Sequence, residues 1–105
     1  MRLGAAAVTI FIAFAQFSHA GSADDAKVLA LVRTHCVMCH AEKPTHESVQ
    51  EAPKNIRLET IADVKKHAAA IYAQTVETRA MPLGNQTGMT DDDRATLGGW
   101  LKDFP

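Results

Sequence analysis

With 105 residues, 47% of them hydrophobic and 22% charged, the chain has the length of one small domain and is too apolar for a disordered segment. Eleven Lys and Arg stand against twelve Asp and Glu, a formal net charge of −1. That balance lacks the basic footprint that nucleic acid or an anionic membrane surface requires, and it argues against both as partners.

The first element in chain order reads as an export leader. Met1-Arg2 gives a positive start, Leu3 to Phe17 is a nearly unbroken apolar run, and Ser18-His19-Ala20 puts small residues where a signal peptidase reads. The expected division is a signal peptide over 1–20 and a folded domain over 21–105, with Gly21 as the mature N-terminus. An uncleaved membrane anchor is the alternative, although the run is short for a span and contains Gly4, Thr9 and Gln16. Removing the leader takes away only Arg2 among the charges, which leaves ten cationic and twelve acidic residues. A domain of the remaining size usually needs a disulfide, a metal or a cofactor to fold firmly.

Ser22 with Asp25 three positions on resembles a capping box, and Val28, Leu31, Val32 and His35 then recur at helical spacing. A first helix is expected to run into Cys36. Ala41 to Glu59 shows no sustained period and contains Pro44 and Pro53, so it reads as a long loop. A second helix is expected from Thr60 to about Arg79, with Ile61, Val64, Ala68, Ile71 and Thr75 inward and Lys65, Lys66 and Glu77 facing water. Pro82 disfavours helix at Met81, and Met81 to Met89 reads as a loop. Thr90 followed by three aspartates starts a last helix whose apolar face is Leu97, Trp100, Leu101 and Phe104. Gly98 and Gly99 inside it suggest close approach of another backbone, with the first helix as the expected neighbour. No segment alternates like a strand, so the fold class is all-α.

The chemistry is concentrated in Cys36-Val37-Met38-Cys39-His40, a C-x-x-C-H pattern. Two thiols three positions apart can add to the two vinyl groups of a haem, and the adjacent imidazole can then bind the iron. One covalent haem c through Cys36 and Cys39 is the expected cofactor, with His40 as proximal ligand. A thioredoxin-like dithiol, half of a zinc site completed by His35, His40 or His46, and a simple disulfide are the competing readings. The surroundings lack a βαβ pattern and a second C-x-x-C.

A six-coordinate haem needs a ligand opposite His40, and a thioether favours ferrous iron. Met1 leaves with the leader, and Met38 lies within the motif on the wrong side of the ring. Met81, in a Met-Pro dipeptide ahead of the last helix, is the first candidate. Met89, His67, His46 and an open position stay as alternatives. Met89 also suits a core position, while solvent is the default surrounding of His67 and His46. Among supporting residues, a carbonyl in the Ala52-Pro53 turn is a candidate partner for His40, and Asn85 for the Met81 sulfur. Arg57, Lys54, Trp100 and Tyr72 are candidates for haem propionates, against default roles as solvated cations and core aromatics.

C-x-x-C-H, a later Met-Pro and an aromatic last helix, in this order, resemble class I cytochromes c over essentially the whole mature chain. The resemblance implies three to five helices around one haem, with the first and last helices crossing. Cys39-His40-Ala41, Ala52-Pro53-Lys54, Leu58-Glu59-Thr60 and above all the stretch from Arg79 to Thr90 resemble the C-terminal cytochrome domain of bacterial membrane-bound urate oxidases. In that family the positions matching Cys36, Cys39, His40 and Met81 bind haem, and the domain takes electrons from urate oxidation. This sequence has no counterpart of the multi-span membrane domain, so catalysis on urate is not expected here. Together with the export leader, the resemblance leads to the expectation of a non-enzymatic, periplasmic, monomeric electron carrier between redox proteins, such as a membrane-bound oxidase or dehydrogenase. A haem enzyme or small-gas sensor with a displaceable sixth ligand is the alternative.

Overall fold

The computed structural model describes residues 4–12 and 20–105. Half of the expected leader, residues 1–3 and 13–19, lies outside the described residues. Residues 4–12 form neither helix nor strand and are exposed. Four α-helices carry the fold: α1 (Ala20–His35), α2 (Ile61–Lys66), α3 (Ala68–Tyr72) and α4 (Asp91–Leu101). No strand occurs among the described residues, and none of their helices is long and apolar enough to cross a membrane. The all-α class follows directly.

α1 begins at Ala20, two residues before the expected Ser22 cap. Asp25 has a different role from capping: its Oδ1 accepts the indole N–H of Trp100 on α4 at 2.8 Å, and its Oδ2 lies 3.8 Å from Lys65 Nζ. This tie takes Trp100 away from the candidate propionate role and leaves it in its default one, core packing. Val28 and Val32 of α1, Leu97, Trp100 and Leu101 of α4, and Val64, Ala68 and Ile71 of α2 and α3 form one buried cluster with Leu58 and Met89. Full burial of a side chain such as Leu97 is worth about 1.5–3 kcal/mol. The cluster therefore holds the helices around a single centre.

The helix starts at Thr60 and Thr90 are local chemistry. Each threonine hydroxyl accepts from the backbone N–H three residues on, and the aspartate there (Asp63, Asp93) accepts the threonine's own N–H, all at 3.0–3.1 Å. The second expected helix is not continuous. His67 breaks it at φ −107°, ψ 17°, and after α3 the chain widens into a π turn over Ala73–Glu77, with the Thr78 N–H bonded to the Ala73 carbonyl at 3.0 Å. The apolar stripe Val64, Ala68, Ile71 and Thr75 still faces inward, and Lys65, Lys66 and Glu77 are exposed.

The paired glycines also depart from expectation. A Cβ on Gly98 would meet Val76 Cγ2 at 3.0 Å and Tyr72 Cε2 at 3.6 Å, whereas one on Gly99 would meet nothing within 4 Å. The close neighbour of α4 at this point is the π turn and the end of α3, and α1 is not involved. A single small residue is required there, not two.

Candidate functional site: an apolar cavity between the Cys36–His40 motif and the Met81 loop

α1 delivers the motif by ending on it. The Cys36 N–H still bonds the Val32 carbonyl at 2.8 Å, and the His40 N–H bonds the Cys36 carbonyl at 2.9 Å, so the five residues form one further turn. Cys36, Cys39, His40 and Met81 all line a single cavity of about 260 Å³. Its walls are mainly apolar, with Val49, Pro53, Ile56 and Leu58 from the long loop, Ala70 and Ile71 from α3, and Pro82 and Leu83 after Met81. Both thiols are free.

His40 is oriented from two directions. Its Nδ1–H donates to the Ile56 carbonyl at 2.9 Å, and its own carbonyl accepts the Leu58 N–H at 2.8 Å. A carbonyl can only accept, so Nδ1 carries the proton and Nε2 keeps its lone pair for a metal. The partner lies three residues beyond the expected Ala52-Pro53 turn, because that turn reverses the chain and it is the returning strand of loop that reaches the ring.

The opposite wall is the Met81 loop. The Met81 N–H donates to the Gln74 carbonyl at 2.9 Å, and its carbonyl accepts from Arg94 Nη1 at 2.9 Å. The same Arg94 nitrogen donates to the Thr75 carbonyl at 2.6 Å, and Thr75 Oγ1 donates to the Ile71 carbonyl at 2.7 Å. His46 and Gln86 close the rim: the Ser48 N–H donates to His46 Nδ1 at 3.1 Å, which leaves the Nε2–H to donate to Gln86 Oε1 at 3.2 Å. The long loop and the Met81 loop are joined there.

The remaining candidates fall into place around this frame. Met89 is buried in the helix core and does not line the cavity, and Asn85 bonds the Met89 backbone in both directions (2.9 and 3.1 Å) with no bond to Met81. His46 is turned to Gln86, as above. His67 lines the cavity at the helix break, which corrects its assignment to the solvent side of a helix. Met38 lines it as well, as does Lys54, which sits at φ 54° in the Pro53–Asn55 turn. Arg57 and Tyr72 do not, and Tyr72 lies instead under Lys102 at 5.9 Å.

One residue was missed by sequence reasoning, and a second was weighed only as a stripe position and a zinc ligand. Arg94 had no signal, since an arginine in the first half of a helix ordinarily faces water. His35 read as one more position of an apolar stripe; it is buried, lines the cavity, shares a 2.8 Å hydrogen bond between Nδ1 and Thr87 Oγ1, and has Nε2 3.7 Å from Asp93 Oδ2.

The thiol electrostatics discriminate among the chemistries. Burial first, and the neighbouring Cys39 second, push the Cys36 thiol up to about 11. A redox dithiol requires the reverse, a lowered thiol beside a cation or a helix N-terminus. No group of three His, Cys, Asp or Glu side chains gathers at metal-binding distance among the described residues, so the zinc reading lacks its ligand set. What the arrangement offers is one apolar cavity lined by two thiols, a lone-pair imidazole and the thioethers of Met38 and Met81. Comparison with family models, with curated proteins and with solved structures gives no match to the chain.

Proposed function

We propose that the chain is an exported, periplasmic monohaem c-type cytochrome of class I fold that passes single electrons between redox proteins and is not itself an enzyme. The observation that carries the reading is the convergence of Cys36, Cys39, His40 and Met81 on one apolar cavity, with His40 Nδ1 committed to a carbonyl. These residues fit a haem: the two thiols are spaced for thioether links, His40 Nε2 is free to ligate, and the apolar walls suit a porphyrin face. When bound, that group supplies a one-electron ferric–ferrous couple.

The protein's own residues do the rest. The Ile56 carbonyl fixes the tautomer and plane of His40 and makes it a better donor. Met81 would offer a soft sulfur that favours the reduced metal, and Cys36 and Cys39 would hold the group covalently. The exposed Leu83 beside Met81 and Pro82 gives the cavity mouth an apolar rim for brief docking of a partner. Among the described residues Lys54 is the one lysine that lines the cavity, so partner binding is expected to be weak and only modestly salt-sensitive. The likeness of Arg79–Thr90 to urate-oxidase cytochrome domains makes a urate- or purine-oxidising membrane enzyme the first donor to test.

Intact-mass measurement of the protein exported from a host with c-haem assembly tests the proposal. A mature chain starting at Gly21 and carrying one haem through Cys36 and Cys39 is the expected result; a chain without it refutes the proposal. Rapid carbon monoxide binding by the reduced protein, with a resting spectrum unchanged in Met81→Ala, would favour the gas-sensor alternative.

A further inference from the structure

Arg94 is a buried cation without an anion. It is 7% exposed, and among the described residues no carboxylate oxygen lies within 4.0 Å of its nitrogens. The nearby aspartates are engaged elsewhere: Asp91 pairs with Arg79 at 3.1 Å, and Asp93 caps α4 at Thr90. Its acceptors are two neutral carbonyls, Thr75 and Met81, both belonging to residues of the cavity wall. A buried charge satisfied only by neutral acceptors is among the costliest placements a side chain can have, and an apolar residue would fill the same space at less cost. The geometry of its two bonds indicates what is gained. Between Thr75 and Met81 the chain leaves the π turn and reverses through Arg79 at φ 57°, and one nitrogen of Arg94 pins both ends of that reversal.

We infer that Arg94 is the positioning residue of the Met81 side: it holds the Met81 backbone so that the sulfur faces the cavity, and its uncompensated charge stabilises an added electron there. The inference rests on the haem reading of the cavity and adds a specific residue and two separable effects to it. The clamp depends on reach and hydrogen bonding, and the electrostatic effect depends only on charge.

Arg94→Met removes both effects, and Arg94→Lys keeps the charge on a shorter side chain with a different donor geometry. Each variant is isolated with covalent haem and compared with the wild type in three ways: the long-wavelength sulfur-to-iron absorption band of the oxidised form, the Met81 methyl resonance of the reduced form, and the midpoint potential. Arg94→Met is expected to lose the band at a pH at least one unit lower than wild type. Its one-electron reduction equilibrium should fall at least about tenfold, or ~59 mV. Arg94→Lys should lose the band early but retain most of the potential. If both variants keep the wild-type band and potential and only melt earlier, Arg94 is a structural staple and the inference is refuted. Should Arg94→Met fail to fold, Arg94→Lys and the guanidinium N–H resonances of the wild type decide; those resonances should move between oxidised and reduced protein, and an absence of movement overturns the charge effect. Wild-type protein without covalent haem, or with haem but no sulfur band, refutes the haem or Met81 reading itself, a result distinct from any change in the variants.

Discussion

Gly98 and Gly99 are neighbours in α4 with the same intrinsic helix penalty and opposite surroundings, which makes them a controlled pair. Replacing either with alanine removes backbone freedom from the unfolded chain and gains about 0.5–1 kcal/mol. Gly99→Ala meets nothing within 4 Å and should keep that gain in full, raising Tm by roughly 2–8 °C for a domain of this size. Gly98→Ala places its methyl 3.0 Å from Val76 Cγ2 and 3.6 Å from Tyr72 Cε2. Crowding a packed contact in this way costs about 1–3 kcal/mol, so the net effect lies between no gain and a loss of roughly 2.5 kcal/mol. Thermal melts and urea titrations of the two variants measure the difference. A double-mutant cycle with Val76→Ala identifies its cause, because removing the crowded methyl should restore to Gly98→Ala the gain seen at Gly99. Equal stabilisation by the two alanines in the wild-type background would refute the close packing of α4 on the π turn. That packing also bears on the cavity, since the π turn carries the Gln74 and Thr75 carbonyls that tether Met81 and Arg94.

Two further outcomes test the electrostatics. The Thr90 backbone N–H foremost, opposed by some desolvation and assisted by the Thr90 hydroxyl, His35 and Lys27, holds the Asp93 carboxyl below its ordinary value of 3.8. A lowered folded-state value means that the stabilisation is complete above the unfolded value of about 3.9 and is lost as pH falls through the folded one. The difference in urea midpoint between wild type and Asp93→Asn should therefore shrink as pH falls below about 4; a difference that grows on acidification through that range contradicts the assignment. For Cys36, the thiolate fraction at pH 8 should be on the order of 10² below that of an ordinary free thiol. Under conditions where circular dichroism shows the haem-free chain to be helical, alkylation at Cys36 should be slower by that order than in urea, and equal rates there would show that the thiol is not buried.

The elements written in short-range chemistry were legible. Helix starts at Thr60 and Thr90 were expected, and the structure shows why they hold: hydroxyl and aspartate sit three residues apart and close a capping box at each. The Met81 loop was legible from Pro82 and its glycines, and the long loop from its lack of period. The break at His67 carries no proline or glycine, so nothing local announced it; the chain bends where the imidazole meets the cavity. Asp25 illustrates the limit of a local pattern, because a residue placed to cap its own helix is taken by an indole 75 positions away. Arg94 was hidden for the same reason. Its partners are backbone carbonyls 13 and 19 residues upstream, and carbonyls are the same at every position of a sequence.

The two bonds that bracket His40 have a bearing on how such a chain can evolve. Side chain and backbone are fastened to Ile56 and Leu58, on the far side of the Ala41–Asn55 excursion. Residues may thus be added to or removed from that excursion without moving the imidazole, and loop lengthening costs little, about 0.6 kcal/mol per doubling. Val49, Pro53 and Lys54 of the same excursion wall the cavity. Length variation there would alter how much water reaches the centre while the ligand stays in place, which makes the loop a tuning element that lineages can edit independently of the ligand.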